Sequence, residues 1–317
     1  AAFAVMSSAA AFDLQGHRGA RGLAPENTLP AFARALSLGV TTLELDVGVT
    51  EDGVVVVHHD RRLDPDIARG TDGRWLRAPT RAIRELTFHE LQRYDVGRIR
   101  PGSDYSKRFP DQRKRDGVRI PRLEDVFELA RRARNDEVRF NVETKISPEA
   151  PDETVGPEAF ARAVVRVVRD HGMANRTIIQ SFDWRTLAIV QREAAEIATS
   201  YLSSRGAGID NIGAGLREDS PWTAGVRFRD HGSVPKMVKA AGGAIWSPNY
   251  TDLDEALLKE ARGLGLKVLP WTVNDPADMQ RLIDWGADGM ITDRPDRLRD
   301  VLAARGLALP KATPVVP

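Results

Sequence analysis

Four residues set the chemistry open to this chain. Glu44 and Asp46, in Thr42-Leu43-Glu44-Leu45-Asp46-Val47, alternate with apolar neighbours. A strand has a side-chain period of two, so both carboxylates project from one face and the leucines and valine from the other. They lie between a His17-Arg18-Gly19 turn and a His59-Asp60 pair. Glu143 and Lys145 repeat the two-residue spacing, so both can face inward from a second strand while Val142 packs outward. Three carboxylates in a chain without cysteine make a hard-oxygen set suited to one divalent cation, Ca²⁺ or Mg²⁺. The competing reading is a structural network in which Arg and Lys pair the acids. Without a cation, however, three like charges at one site raise each other's pKa.

His17 and His59 approach the acids from opposite sides. A lone histidine is more often a satisfied polar residue than a catalyst, but a pair beside a metal suits general acid/base work, because imidazole titrates near neutrality. His58 is set aside, since it shares a face with Val54 and Val56 while His59 lies on the other. Arg18 and Lys145 suit an anionic phosphoryl group, the first by bidentate contact and the second as a point charge, with salt bridges to the neighbouring acids as the alternative. Trp271 either walls the pocket or fills a barrel layer. In Pro25-Glu26-Asn27-Thr28, Thr28 or Asn27 is read as a helix cap.

The elements that position these residues follow from the alternation of short apolar runs with amphipathic stretches, the pattern of a parallel α/β fold. Strands are expected over Asp13 to His17, Thr42 to Val47, Val54 to His58, Val138 to Glu143, Thr177 to Ser181, Ala198 to Leu202, Ala244 to Ser247, Leu266 to Trp271 and Gly289 to Thr292. That is one more than a TIM barrel uses. Only Thr50-Glu51-Asp52-Gly53 precedes Val54, and a parallel crossover needs a dozen or more residues, so Val54 to His58 must fold back antiparallel. Eight barrel strands remain, and the hairpin returns His59 toward the acids. The fold class is therefore a (β/α)8 TIM barrel with an antiparallel hairpin after its second strand. Its active site is expected at the C-terminal strand ends, where His17, Glu44, Asp46, Glu143, Lys145 and Trp271 gather.

The 317 residues have near-balanced charge and a composition ordinary for a globular protein, which gives no electrostatic case for nucleic acid. One barrel domain is expected over 13–308. Residues 61–118 break the βα rhythm as a cap-like insertion, carrying fifteen Lys/Arg against nine Asp/Glu. It reads as a solvated lid or as a surface that attracts an anionic substrate or makes transient contact with a lipid surface. Within it, Ala82 to Tyr94 is expected to be helical, with Thr80 as its N-cap. Residues 1–12 are uncharged, small and apolar, and read as the end of a signal peptide. They point to a periplasmic or secreted protein, with a cytoplasmic one as the alternative, and are too short for a transmembrane segment. Residues 309–317 read as a disordered tail. Oligomeric state is not legible.

The ordered series Gly16-His17-Arg18-Gly19, Pro25-Glu26-Asn27-Thr28, Glu44-Leu45-Asp46-Val47, Thr50-Glu51-Asp52-Gly53, Val56-Val57-His58-His59-Asp60, Val142-Glu143-Thr144-Lys145, Ser181-Phe182, Trp271-Thr272-Val273-Asn274 and Ile291-Thr292-Asp293 resembles the glycerophosphodiester phosphodiesterase family. The resemblance implies a barrel related to phosphoinositide-specific phospholipases C. It implies metal-dependent hydrolysis of glycerophosphodiesters to sn-glycerol 3-phosphate and an alcohol, through a cyclic phosphate. It makes His17 and His59 the acid/base pair, Glu44, Asp46 and Glu143 the metal ligands, and Arg18 and Lys145 the phosphate contacts. The chain departs from the family where Leu63 is followed by Asp64-Pro65-Asp66-Ile67 rather than an Arg-Thr-Thr run, and where Thr144 replaces the more usual Ile. Two alternatives are a lysophospholipase D, with an acyl chain against the insertion aromatics, and a silent phosphodiester-binding barrel.

Overall fold

The computed structural model describes residues 11–206, 208–215 and 219–317. Most of the segment read as a signal peptide, residues 1–10, lies outside the described residues.

Eight parallel strands form the barrel: β1 (Asp13–Gly16), β2 (Thr42–Val49), β4 (Arg139–Thr144), β5 (Thr177–Ser181), β6 (Ala198–Ser203), β7 (Ile245–Pro248), β8 (Lys267–Val268) and β9 (Gly289–Thr292). They are arranged β8-β7-β6-β5-β4-β2-β1-β9. Backbone hydrogen bonds from Asp288 N to Val268 O (3.1 Å) and from Ile291 N to Pro270 O (3.0 Å) bring β9 back to β8. The ninth expected strand, β3 (Val55–Val57), pairs antiparallel with β2 and not with a barrel neighbour, as its turn length requires. Regular β8 stops before Pro270, which has no N–H to give to a ladder.

Eight helices follow the barrel strands: α1 (Leu29–Leu38), α2 (Leu123–Arg132), α3 (Pro157–Asp170), α4 (Trp184–Glu193), α5 (Val234–Ala240), α6 (Glu255–Gly263), α7 (Pro276–Trp285) and α8 (Pro295–Ala304). Thr28 caps α1, its hydroxyl accepting from Ala31 N at 3.3 Å, and Gly39 ends it with φ 87°. The apolar faces of these helices and the outward faces of the strands form one large core around Leu43, Leu45, Phe140, Val142 and Phe160.

Part of the insertion buries a second apolar cluster of its own, including Leu63, Ile83, Leu86, Leu91, Val118 and Ile120. Strand β3 is the seam between the two, since Val55 and Val57 join the barrel core while Val56 joins the insertion cluster. The continuous helix expected over Ala82 to Tyr94 is instead a 3₁₀ turn, Ile83–Glu85, and a short helix, Phe88–Leu91. Leu86 is extended, and Thr87 opens the second piece as a reciprocal capping box with Glu90. Thr80 caps neither, as its hydroxyl donates to Leu63 O at 2.6 Å.

The segment 309–317, expected to be a disordered tail, lies against the N-terminal end of the barrel. Thr313 N donates to Leu36 O (2.8 Å), Asn135 Nδ2 donates to Thr313 Oγ1 (3.0 Å), and Val315 packs on the main core. Backbone groups that find partners on the barrel give the segment a reason to order that its composition does not show. Among the described residues no helix is long and apolar enough to cross a membrane.

Candidate active site

Each residue singled out above stands at the C-terminal end of the barrel. His17, Arg18, Glu44, His59, Glu143, Lys145 and Trp271 line one cavity of about 300 Å³, and Asp46 lies wholly buried beneath it. The strand register does this: on β2 and β4, Glu44 is opposite Asn141 and Asp46 opposite Glu143, so three acids rise from two adjacent strands. Glu44, Asp46 and Glu143 offer carboxylate oxygens that all lie within 4.8 Å of one another.

The acids are held from outside the cluster. Glu44 accepts from Arg18 N (2.8 Å) through one oxygen and from Gln180 Nε2 (2.8 Å) through the other. The first bond needs the tight turn after β1, where Arg18 has φ 50° and Gly19 φ 83°. A methyl at Gly16 would collide with Gly19 O, so no larger residue fits that turn. Asp46 Oδ2 accepts from Asn27 Nδ2 at 2.8 Å and lies 3.2 Å from Arg18 Nε, while Asp46 Oδ1 is buried with no hydrogen-bond partner. An orphaned carboxylate oxygen between two other carboxylates fits a bound cation, which would supply the missing contact.

Electrostatics agree with that fit. Burial, then the Asp46 and Glu143 charges, push the Glu44 pKa well above the usual carboxylate range. Burial also raises Glu143, to about 7, against the pull of Lys145. Asp46 goes the other way: burial alone would raise it, but His59, Arg18 and Lys145 hold it low. In the cation-free protein, raised carboxyls contribute stability below the unfolded carboxyl pKa, and that contribution is lost as pH rises through the folded value. A cation must displace the same protons, so its affinity rises over that interval. The gain in Tm on adding Ca²⁺ should therefore be small near pH 5 and grow toward pH 8. Thermal unfolding with and without Ca²⁺ at each pH checks this, and a pH-independent gain would contradict it.

The two histidines are held in the same way from different elements. His17 Nδ1 lies 2.7 Å from Asp293 Oδ1, and its Nε2 points to Glu44 at 3.9 Å. His59 Nδ1 lies 2.6 Å from Asp60, and its Nε2 is 3.1 Å from the Lys145 ammonium. A carboxylate accepts only from a protonated Nδ1, so in each neutral ring Nε2 is the unprotonated nitrogen, and that of His59 accepts from Lys145. Burial, with Arg21 next, lowers the His17 pKa to about 4. Desolvation, then Arg18 and Lys145, push His59 well down. Both imidazoles are thus neutral near pH 7. His58 bonds instead to Arg62 O at 3.3 Å.

Arg18 and Lys145 line the cavity, and the salt bridges to neighbouring acids are present. Arg18 Nη1 bonds Glu26 at 2.6 Å, and Lys145 Nζ bonds Glu143 at 2.7 Å. Trp271 stands edge-on to Phe182, with ring centroids 5.3 Å apart, and anchors its Nε1 on Ser247 O, so it is a fixed wall. Asp64 and Ile67, at the point of departure from the family pattern, form part of the rim.

Several members of the site escape sequence reading. Asn27 is not a cap but a donor to Asp46, with φ 55°. Asp293 bridges His17 and the Arg21 guanidinium, and the insertion reaches in through Tyr105, whose hydroxyl donates to Glu26, and through Phe109, over which Arg21 lies at 4.6 Å. The available signal for Asn27 and Asp293 is their place in the motif series, in Pro25-Glu26-Asn27-Thr28 and Ile291-Thr292-Asp293.

Comparison with known proteins agrees with this geometry. Residues 17–297 match the model of the glycerophosphoryl diester phosphodiesterase family. The chain is 29% identical over 290 residues to a glycerophosphodiester phosphodiesterase of Caldanaerobacter subterraneus, covering 92% of this chain and 97% of that one. A crystal structure from Silicibacter pomeroyi DSS-3, provisionally named a glycerophosphoryl diester phosphodiesterase, superposes with a TM-score of 0.82 at 37% identity, covering 94% and 95% of the two chains. An Oleispira antarctica phosphodiesterase, solved with its product sn-glycerol-3-phosphate, shares the fold at a TM-score of 0.66 and 22% identity, covering 92% and 97%. The chain belongs to the glycerophosphoryl diester phosphodiesterase family, metal-dependent enzymes that hydrolyse glycerophosphodiesters.

Proposed function

We propose that this chain releases sn-glycerol 3-phosphate and an alcohol in two steps, with His17 and His59 as the acid/base pair. The observation that carries this reading is the pair of imidazoles, each held at Nδ1 by a carboxylate, with the His17 Nε2 toward Glu44 and the His59 Nε2 beside the Lys145 ammonium, on either side of the acid cluster. Glu44, Asp46 and Glu143 would hold the cation, read as Ca²⁺ or Mg²⁺ from the hard-oxygen set. When bound, it lowers the pKa of a hydroxyl and offsets phosphoryl charge.

One imidazole Nε2 takes the proton from the glycerol C2 hydroxyl as its oxygen bonds to phosphorus. The bond from phosphorus to the alcohol oxygen breaks, and the other imidazole gives that oxygen a proton. Entry of the phosphodiester anion raises the proton affinity of the nearby imidazole and so charges it for this role. Water then opens the cyclic phosphate with the two histidines in exchanged roles. Arg18 and Lys145 hold the phosphoryl oxygens in place, and Trp271 limits the pocket on the far side.

The lipid alternative receives less support. Of the insertion aromatics only Tyr105 lines the cavity, while Trp75 lies against Arg69, Phe88 against Arg122, Phe109 under Arg21, and Tyr94 on the insertion cluster. Glycerophosphocholine should therefore be hydrolysed at least about 10-fold better in kcat/KM than lysophosphatidylcholine, one decade being about 1.4 kcal/mol of transition-state binding. Enzymatic detection of glycerol 3-phosphate and of choline release reads both. A preference for the lysolipid would replace this reading with lysophospholipase D. Export to the periplasm or beyond, read from residues 1–12, would put Ca²⁺ within reach; mass spectrometry of the protein made from its full gene tests it by whether Ala1 to Ala11 are retained.

A further inference from the structure

A TIM-barrel interior is ordinarily filled by Val, Ile and Leu. Here Gln15 of β1, Asn141 of β4 and Gln180 of β5 stand in it, none more than 1% exposed. Strand β2 separates β1 from β4 in the sheet, so the bond from Asn141 Nδ2 to Gln15 Oε1 (2.8 Å) crosses the interior. Asn141 Nδ2 gives its other hydrogen to Gln180 Oε1 at 2.9 Å. Gln180 Nε2 then donates to Glu44 Oε1 (2.8 Å), and Gln15 Nε2 donates to Asp13 Oδ2 (2.9 Å). Asp13 is itself anchored by the Thr42 hydroxyl at 2.7 Å and by Arg139 at 3.0 Å.

The polarity of this chain has one solution. With Glu44 ionised, as cation binding requires, the carboxylate at each end accepts only, so each glutamine must turn its NH₂ outward and its carbonyl inward. The two inward carbonyls meet at Asn141, which must give both hydrogens of one NH₂ group. Asn141 does so although its own Oδ1 is left buried without a partner. Leaving an acceptor unsatisfied is unfavourable, so the position is set by its two donations and not by its own comfort.

We infer that Asn141 is a positioning residue for the metal site: through Gln180 it fixes the Glu44 carboxylate in the orientation in which it binds the cation. This rests on the reading of Glu44, Asp46 and Glu143 as cation ligands. The chain runs from Asp13 through the barrel interior and reaches the cavity at Gln180, and none of these bonds goes to Asp46 or Glu143. Its role is to leave Glu44 one defined set of free lone pairs.

The test is Asn141→Asp, which keeps size and shape but replaces the central donor with an acceptor. Gln180 must then turn its NH₂ toward position 141 and its carbonyl toward Glu44, so Glu44 loses its donor. Ca²⁺ and Mg²⁺ affinities, measured by titration calorimetry on the full chain, should weaken about 10- to 100-fold, the usual scale when a ligand's hydrogen-bond support is lost. An added negative charge beneath the site would by Coulomb attraction strengthen cation binding, so the sign separates positioning from charge. A purely structural role would lower Tm and leave Kd unchanged, and a Kd within twofold of the parent at a temperature where the variant is folded would overturn the inference. Should that variant not fold, Gln180→Met removes the last link without adding charge; the same weakening is expected and an unchanged Kd overturns it. Failure of the underlying reading looks different: the parent protein itself would show no cation binding.

Discussion

Replacing His17 or His59 by alanine should lower kcat by about 10² to 10⁴ while the protein stays folded, the usual scale for loss of a general acid or base. The structure gives a reason to expect intact folding in both. Asp293, which loses its contact with His17, keeps the Arg21 guanidinium at 2.8 and 3.1 Å, so no buried charge is left bare. The His59 side chain is 30% exposed, and Asp60, its other partner, is more exposed still, so little packing is removed. Steady-state turnover on glycerophosphocholine with circular dichroism on the same samples measures the effect. Near-parental turnover in either variant would reject the assignment of that histidine.

Removing the cation should have an effect of similar size. Exhaustive dialysis against EDTA should abolish turnover, and Ca²⁺ or Mg²⁺ should restore it. Asp46→Asn should mimic the loss by at least about 10³-fold in kcat/KM even at saturating cation, because a bound metal contributes several kcal/mol of charge stabilisation in the transition state. Asparagine can still present a carbonyl oxygen to Asn27 and Arg18, the partners that Asp46 has now, so the variant should fold. What it gives up is charge at Oδ1, the one buried oxygen of the residue that finds no protein donor. Full activity of the dialysed protein, confirmed metal-free by elemental analysis, would dispose of the metal reading.

Much of this was legible from spacing. The two-residue alternation of Glu44 with Asp46 and of Glu143 with Lys145 placed those side chains on inward faces, and the short Asp52-Gly53 turn forced the hairpin that carries His59 back. Period and turn length are local properties, so a linear reading can reach them. The supports of the site are not local. Gln180 serves Glu44 across 136 positions, and Asp293 serves His17 across 276, and nothing in either residue's neighbourhood announces its partner. Of the two cap candidates Thr28 is the cap, and the bond from Asn27 to Asp46 is not legible because an Asx residue before a helix suits a cap as well. The tail and the insertion helix were missed for a related reason. Composition argued for a frayed end and for one continuous helix, whereas acceptors on the barrel order the first and a capping box at Thr87 divides the second.

Strand β3 has one face in each of two separate apolar clusters, with Val55 and Val57 on the barrel side and Val56 on the insertion side. Regions with their own small core open at lower free energy than the body they rest on, as cooperative units below the global transition. When the insertion opens in this way, β3 loses the packing of one face only two residues before His59, while His17 stays seated in the barrel. The two histidines thus hang on different units, His17 on the barrel and His59 at the end of the seam strand, and amide exchange in 61–118 that is faster than in the barrel strands is the result expected if the His59 side opens first.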